Sequence, residues 1–416
     1  MKKTHRLLED RIVQSLQTFP VVYIAGPRQA GKTTLVQHIA TKRHKAQYIT
    51  FDDIQVRSAA QYDPETFLRK LDGPTVLDEI QLAPELFRPL KIIVDENRNH
   101  KDGGRGQFLL AGSASVLALP KLSDALVGRM ALHILLPFSA QEVQNKVEAT
   151  FIDRAFSKEW KFNQFPKIDP LPIMIKASFP ELLFIENPSL RYEWCNGHIN
   201  TIIQRDVRAL MEVEKTALLP DMLRLMATRT GGLLNETTLS RDTDLNHITT
   251  KKYRLLLESL FLIYSVPAWS NNLGKRLIKA PKIYINDLNL LFYLLNIDTQ
   301  NLSQNNPMLF GQILENFVAI ELAKQITFSD ARAKLYHYRT SSGQEIDFII
   351  EGPQNHIVGI EVKARNKINA RDFQQLEALK KDLGNKFQCG IVLYQGSDIL
   401  PFGEHLWAVP LMMLWN

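Results

Sequence analysis

The sequence has little cysteine, no long hydrophobic run and no strong excess of charge of either sign. Only two cysteines, Cys195 and Cys389, stand among 416 residues, far apart and in no metal-ligand spacing. This argues against a disulfide framework and a zinc knuckle, and it fits a reducing compartment. No apolar run reaches the roughly 18 residues that a membrane-spanning helix needs. We therefore expect a cytoplasmic protein with no membrane partner.

The net charge and the first residues bear on two further properties, nucleic-acid binding and secretion. Lysine and arginine number 50 against 44 acidic residues, which gives a formal net charge of +6 and a pI of about 9.1. A mildly basic chain permits nucleic-acid binding without establishing it. The start, MKKTHRLLEDRIVQSL, is basic, but acidic residues interrupt any apolar core, so it predicts an amphipathic helix rather than a secretory signal. The length suits two or three domains.

A glycine-rich turn follows the first apolar stretch, Val21–Ala25, which predicts a buried parallel strand. Residues 26–33, GPRQAGKT, match G-x-x-x-x-G-K-[ST] at every fixed position, and apolar residues at helical spacing come next. Backbone N–H groups of such a turn and the N-terminus of the next helix bind phosphate oxygens. The alternative is a chance glycine-rich turn. The pattern in this context predicts an ATP site formed by Gly26, Pro27, Arg28, Gln29, Ala30, Gly31, Lys32, Thr33 and Thr34.

The chemistry of this site assigns roles to four residues. Lys32 would reach the β- and γ-phosphates, and the Thr33 hydroxyl would bind Mg²⁺. The segment PTVLDEIQ supplies a short apolar strand that ends in Asp78 and Glu79. Asp78 would hold Mg²⁺ through water, and Glu79 would be the catalytic residue that polarises the attacking water. An exposed acidic turn after a strand is the alternative.

Two further residues are candidates for sensing the nucleotide. The stretch QFLLAGSAS ends an apolar strand at Gly112 and Ser113, so the Ser113 hydroxyl could contact the γ-phosphate. Arg129 follows Gly128 and precedes another apolar run, which suits an arginine finger or a sensor. A surface arginine in a turn is an equal alternative for Arg129, and a finger acting in cis or in trans stays open.

Five segments in order carry a family resemblance: GPRQAGKTTL, VLDEIQ, LLAGSAS, LVGRM and LPFSAQE. With them the chain resembles bacterial and archaeal AAA-type ATPases that fuse a P-loop core to a C-terminal domain of unknown function with a restriction-endonuclease-like core. Ala111 departs from the usual threonine, and KASFPE at 176–181 departs from a Gly-Gly-aromatic-Pro pattern. The resemblance implies an α/β fold with an AAA-type core, a helical and winged-helix middle, and an α/β C-terminal domain.

The middle of the chain predicts helices followed by a basic hairpin, which is the order of a winged helix. Residues that could touch DNA are Thr249, Thr250, Lys251, Lys252 and Arg254 at the start of the third helix, with Lys275, Arg276 and Lys279 in the hairpin. The alternative is packing against the nucleotide site or against another protein. DNA is the expected nucleic acid, with RNA a weaker expectation.

The C-terminal third carries a second set of charged residues. Glu315 lies on a predicted helix, Asp347 on a strand, and Glu361 and Lys363 two positions apart on one face of the next strand. This order resembles the PD-(D/E)xK nucleases, and the resemblance implies a metal site in which Asp347 and Glu361 bind Mg²⁺ or Mn²⁺. Glu315 would complete the ligand set, and Lys363 would orient the attacking water. A charged sheet face, or an inactive fold that only binds, is the alternative.

Two hypotheses follow for the whole chain. The first is an ATPase coupled to DNA, with a metal-dependent nuclease at the C-terminus. The second is a nucleotide-dependent switch or scaffold in which an inactive nuclease fold binds a protein partner or copies of the same chain, with a defence or toxin-related role. We expect domains at 1–145 (P-loop core), 146–215 (helical linker), 216–300 (winged helix) and 301–416 (nuclease-like).

Overall fold

The computed structural model describes residues 4–98, 103–113, 126, 128–147, 149–157, 160–207, 216–272, 274, 276, 279–300, 302–340 and 343–416. Of the DNA-contact candidates, Lys275 lies outside these residues. No helix in the described part of the chain is both long and apolar enough to cross a membrane.

The N-terminal sheet has five parallel strands in the order β2-β3-β4-β1-β5. Their bounds are β1 Val21–Ala25, β2 Gln47–Thr50, β3 Thr75–Asp78, β4 Phe108–Gly112 and β5 Met130–Ile134. This confirms the α/β class and the parallel sheet. Because all five strands run the same way, the P-loop after β1, Asp78 at the end of β3 and Ser113 after β4 meet at one edge.

Helices cover both faces of this sheet: α1 Glu9–Leu16, α2 Lys32–Lys42, α3 Ile54–Tyr62, α4 Pro64–Arg69 and α5 Phe87–Asn97. Alternate residues of β1 point into two different apolar clusters, with Tyr23 in one and Ile24 in the other. The strand is buried on both sides, which explains its continuous apolar run.

The middle of the chain is mainly helical. Its elements are α6 Ala140–Val143, α7 Phe151–Ser157, β6 Asn163–Gln164, α8 Leu171–Lys176, α9 Pro188–Thr201, α10 Leu219–Ala227, α11 Glu236–Asp242, α12 His247–Ser259, β7 Ile263–Val266, β8 Lys282–Ile285 and α13 Leu288–Leu295. A π-helical turn, Ile202–Asp206, extends α9. The two-stranded sheet pairs β7 with β8. Strand β7 ends at Val266, before the basic residues that the sequence places in the hairpin.

The C-terminal region contains α14 Leu302–Asn305, the long helix α15 Pro307–Phe328, α16 Gln374–Leu383 and a seven-stranded mixed sheet in the order β6-β13-β14-β12-β11-β10-β9. Its other strands are β9 Lys334–Arg339, β10 Glu345–Glu351, β11 Ile357–Lys363, β12 Phe387–Tyr394, β13 Asp398–Gly403 and β14 Leu406–Pro410. Strand β6 joins the edge of this sheet by pairing with β13. The segment expected to be a helical linker therefore supplies a strand to the C-terminal sheet.

One apolar core runs through the middle and C-terminal regions. Buried side chains from Ala140 to Trp415 form a single cluster, which includes residues of α9, α12, α15 and β12. The domain boundaries predicted at 215/216 and 300/301 fall inside this continuous apolar core. The division into domains at these positions stays a prediction. The packing makes it unfavourable for these segments to move as independent bodies.

Candidate functional site

The backbone of residues 26–31 is shaped to surround phosphate. Gln29 and Gly31 have positive φ angles, 63° and 92°, so successive N–H groups turn toward one concave side. Gly31 is the N-cap residue of α2, which starts at Lys32, and as a glycine it provides no side-chain cap for that helix N-terminus. Uncapped N–H groups and the helix dipole both favour an anion here. The residues present therefore fit a nucleoside triphosphate.

Lys32 is buried within this turn. Its Nζ donates to the carbonyl oxygens of Gly26, at 3.0 Å, and Pro27, at 2.8 Å. Burial lowers the pKa of Lys32 to about 8, and attraction to Glu79 and Asp78 opposes that shift. The lysine therefore lies within electrostatic reach of both acidic residues, as the motif chemistry requires.

We expect MgATP binding at pH 8 to take up about half a proton at Lys32. At a pH equal to its pKa half of the lysine is neutral, and phosphate charge would favour the ammonium form. At pH 7 about a tenth is neutral, so the uptake should fall to roughly 0.1 proton. Titration calorimetry in buffers of different ionisation enthalpy measures this. Equal uptake at both pH values would contradict the assignment.

Asp78 and Glu79 are held in defined positions at the end of β3. Tyr48 Oη donates to Asp78 Oδ2 at 2.8 Å, and the backbone N–H of Glu79 donates to Asp78 Oδ1 at 3.0 Å. Glu79 has a φ of 54°, a left-handed conformation that costs energy for a residue with a side chain. Burial raises the pKa of Glu79, while Lys32 lowers it. A strained, buried carboxylate beside a lysine suits a catalytic base.

Gln81 links two of the predicted residues and was missed from the sequence. Its side-chain amide donates to the Glu79 carboxylate and, at 3.0 Å, to Ser113 Oγ. It thus fixes Glu79 and Ser113 at the same edge of the sheet. A polar residue two positions after the Asp-Glu pair was the available signal. Its partners could not be read from the sequence because Ser113 lies on another strand.

Arg129 does not lie beside the P-loop of its own chain. It forms a bidentate pair with Asp95, at 2.6 and 2.8 Å. Strands β1 and β5 are parallel with Val21 opposite Met130, so Arg129 is at the amino end of the sheet. The P-loop follows the carboxyl end, about 16 Å away along a five-residue strand. This geometry opposes a finger in cis. A role in trans stays a prediction.

The middle region covers the P-loop. Arg28 Nη1 donates to Asp206 Oδ1 at 3.0 Å, and Gln29 Oε1 lies 2.6 Å from His198 Nδ1. His198 packs against the rings of Phe179 and Trp194. Phe179 belongs to the segment 176–181, which differs from the family pattern, so that segment lies near this contact. Two residues expected to bind nucleotide are thus also the contact points of α9 and its π turn, which the sequence did not reveal.

The four predicted C-terminal residues come together. The Asp347 Oδ2 atom accepts the Val362 N–H at 2.8 Å, which joins β10 to β11 beside Glu361, and Lys363 Nζ lies 2.7 Å from Glu361 Oε2. Burial raises the pKa of Glu315 to about 7 and that of Glu361 to about 8, and repulsion from Asp347 adds to both shifts. Helix α15 and strands β10 and β11 therefore place these carboxylates at one site.

The structure adds three residues to this site: Lys282, Tyr284 and Glu345. Lys282 Nζ lies 3.0 Å from Glu315 Oε1, 2.8 Å from Glu345 Oε1 and 3.9 Å from Asp347 Oδ1. Tyr284 Oη donates to Glu315 Oε1 at 2.8 Å. Burial lowers the pKa of Lys282, but attraction to the carboxylates outweighs it and leaves that pKa above its ordinary value. The surrounding carboxylates therefore favour the ammonium form of Lys282.

A divalent ion does not fit this arrangement. Among the residues that the structure describes, no group of three or more His, Cys, Asp or Glu side chains is placed to hold a metal ion. The ammonium of Lys282 already contacts Glu315 and Glu345, whose oxygens would have to turn to a metal. The metal-ligand roles of Asp347 and Glu361 were implied by resemblance, and this geometry does not support them.

Several residues expected to touch DNA are not available. Thr250 is buried, and Arg254 is buried in ion pairs with Glu236 and Glu258. Arg276 pairs with Glu351 at 2.7 Å. Thr250 and Arg254 are unavailable because the helix face that carries them packs inward, and Arg276 is unavailable because it is held by Glu351. Exposed members are Lys251, Lys252 and Lys279, with Thr249 partly exposed.

Comparisons with known proteins divide the chain into three parts. Residues 18–144 match a family described as AAA domain. Residues 173–301 match the Domain of unknown function (DUF8612), and residues 310–414 match the Domain of unknown function (DUF4143). Each match covers less than half of the chain. The second begins and ends close to the helical middle, and the third covers all of the C-terminal sheet except β6.

Relatives and solved structures extend over more of the chain. An uncharacterized protein of Mycobacterium tuberculosis is 28% identical over 401 residues, 96% of this chain and 82% of the relative. One of Haemophilus influenzae is 22% identical over 368 residues, 82% of each. The Walker-type ATPase of Pyrococcus abyssi has a TM-score of 0.42 and 14% identity, and covers 70% of this chain and 96% of that one. The family match and the P-loop geometry together support an AAA-type ATPase domain at residues 18–144.

Proposed function

We propose that the chain hydrolyses ATP at the P-loop and that the hydrolysis cycle changes how the helical middle region contacts this site. One observation carries the proposal: buried Lys32 lies within electrostatic reach of Asp78 and Glu79, beside an uncapped helix N-terminus. This combination binds phosphate, provides a carboxylate for Mg²⁺ and provides a base for water.

Each residue has a distinct task in this reaction. Mg²⁺, when bound with ATP, offsets the phosphate charge, and Thr33 and Asp78 are the residues that would hold it. Lys32 holds the terminal phosphates. Glu79 orients a water molecule and accepts its proton, while the Gln81 amide keeps the carboxylate beside Ser113. Fixing the base before the reaction reduces the reorganisation that the transition state requires.

The contacts of Arg28 and Gln29 couple the nucleotide to the middle region. The Arg28 guanidinium pairs with Asp206, and a triphosphate bound to the same turn competes for that guanidinium. The neighbouring contact between Gln29 and His198 lies on the same helix, α9 with its π turn. Binding and hydrolysis of ATP would therefore strengthen and weaken these contacts in alternation.

DNA is the nucleic acid that we propose as a partner. The supporting features are the net charge of +6 and the exposed lysines Lys251 and Lys252 at the start of α12. Phosphate contacts of this kind give binding that weakens steeply with salt.

Self-association is also proposed, because it is the arrangement in which Arg129 could reach the P-loop of another copy of the chain. The cytoplasm remains the expected compartment.

A second candidate is a nucleotide-dependent switch whose C-terminal domain binds without cutting. The ion pairs of Lys282 with Glu315 and Glu345 favour it, because they occupy the carboxylates that a metal-dependent nuclease would use. Mg²⁺- or Mn²⁺-dependent cleavage by Glu315, Asp347, Glu361 and Lys363 stays a prediction from the resemblance.

Asp347→Asn tests whether the C-terminal domain cuts DNA or only binds it. ATP turnover should be unchanged in this variant, because Asp347 lies in the C-terminal sheet and not at the P-loop. We expect the wild-type chain to bind duplex, branched or single-stranded DNA without cutting it in Mg²⁺ or Mn²⁺. Gel assays and phosphate release on one preparation measure both. Cleavage that disappears in Asp347→Asn would instead establish the nuclease.

A further inference from the structure

The first residue of β8 reaches from the middle region into the C-terminal carboxylate site. The Lys282 side chain is 3% exposed, and its Nζ bridges Glu315 on α15 and Glu345 on β10. Two residues later on the same strand face, Tyr284 donates to the oxygen of Glu315 that Lys282 also contacts. The strand thus delivers two donors to one carboxylate.

We infer that Lys282 is the resident cation of this site and that it excludes divalent metal ions while β8 holds its ammonium against Glu315 and Glu345. Magnesium and calcium ions bind carboxylate oxygens at about 2.0 to 2.6 Å. A metal ion on Glu315 or Asp347 would therefore lie within a few ångströms of the ammonium. Two cations at that distance repel strongly in a site that is largely removed from water.

The charges of the site agree with this assignment. Four carboxylates, those of Glu315, Glu345, Asp347 and Glu361, face two ammonium groups, those of Lys282 and Lys363. Lys363 is paired with Glu361, and Arg339 Nη1 lies 3.5 Å from Glu345 Oε2, so among the described ion pairs Lys282 is the cation that contacts Glu315 and Asp347. Without Lys282, Glu315 and Asp347 would lose their ion-pair partner, which is the condition that draws in a divalent ion.

The neighbouring backbone leaves Lys282 in place. Strand β8 pairs with β7, where Lys282 lies opposite Val266, and Leu233 forms a bridge to Lys282 on the other side. A Cβ atom on Gly231 would lie only 3.2 Å from Glu315 Oε1, so the chain closes over this carboxylate. Lys282 is therefore a buried residue at the contact between the middle region and the C-terminal carboxylates, and not a surface side chain.

The first test uses the wild-type chain and Mn²⁺ without nucleotide, followed by electron paramagnetic resonance of free Mn²⁺. The inference predicts that wild type and Asp347→Asn bind the same number of Mn²⁺ ions. A wild-type site that is lost in Asp347→Asn would overturn it. This comparison needs no nucleotide, so it is independent of ATP hydrolysis at the P-loop.

The second test removes the ammonium. Lys282→Met should create one Mn²⁺ site, with an affinity gain on the order of tenfold or more over wild type. The double variant Lys282→Met with Asp347→Asn should lose that site again. Lys282→Arg keeps a cation and should gain nothing, and Lys334→Met is a matched control on the exposed part of β9. A folded Lys282→Met variant, verified by circular dichroism, that binds no extra Mn²⁺ would overturn the inference.

Discussion

Glu79→Gln is expected to lower the rate of ATP turnover by about 10²-fold or more while leaving MgATP affinity within a few-fold of wild type. The substitution keeps the size of the side chain and removes its charge and basicity. Lys32 and the turn that binds phosphate are unchanged, so substrate binding should persist. Phosphate release gives the rate, and calorimetry with MgATP gives the affinity.

The matched control for this experiment is Glu85→Gln, since Glu85 is an exposed acid six positions later. It should turn over ATP at the wild-type rate. Equal rates for Glu79→Gln and wild type would show that another group activates water. A simultaneous loss of binding and turnover would show that Glu79 supports the structure of the site rather than the reaction.

Gly26→Ala should destabilise the N-terminal domain by about 3 kcal/mol or more. A Cβ atom at Gly26 would lie 2.1 Å from the carbonyl oxygen of Leu135, a backbone atom that side-chain rotation cannot move away. The first thermal unfolding transition should fall by roughly 10 °C, and MgATP affinity should fall with it. Calorimetric scanning with and without MgATP measures both.

Gly197→Ala provides the control for Gly26→Ala. Gly197 lies within α9, and nothing within 4 Å would meet its Cβ atom. Alanine is a better helix former by about 0.5 to 1 kcal/mol, so this variant should be as stable as wild type or more stable. If both variants unfold alike, the close contact between the P-loop and Leu135 does not constrain the turn.

The N-terminal motif was predictable because its chemistry is local. Within residues 21–33 a buried strand, a turn with positive φ angles and a helix start follow one another directly. The parallel direction of the strands then brings Asp78 and Ser113 to the same edge without any knowledge of side-chain packing. The C-terminal hairpin was similarly readable, because the alternation around Asp347 has the period of a strand.

Long-range contacts explain what the sequence did not reveal. Lys282 enters the C-terminal site from another part of the chain, 33 positions before Glu315. Asp206 meets Arg28 across 178 positions, and no local pattern encodes such a pair. The position of Arg129 was hidden for the same reason, since its place at the amino end of the sheet depends on the register between β1 and β5.

Release of phosphate from MgATP by the wild-type chain and by Lys32→Ala decides whether the P-loop hydrolyses ATP. We expect saturable release by wild type and by the exposed-lysine control Lys42→Ala, and no release above background by Lys32→Ala. Release by Lys32→Ala at the wild-type rate, or a wild-type chain that releases no phosphate with or without DNA, would contradict this expectation.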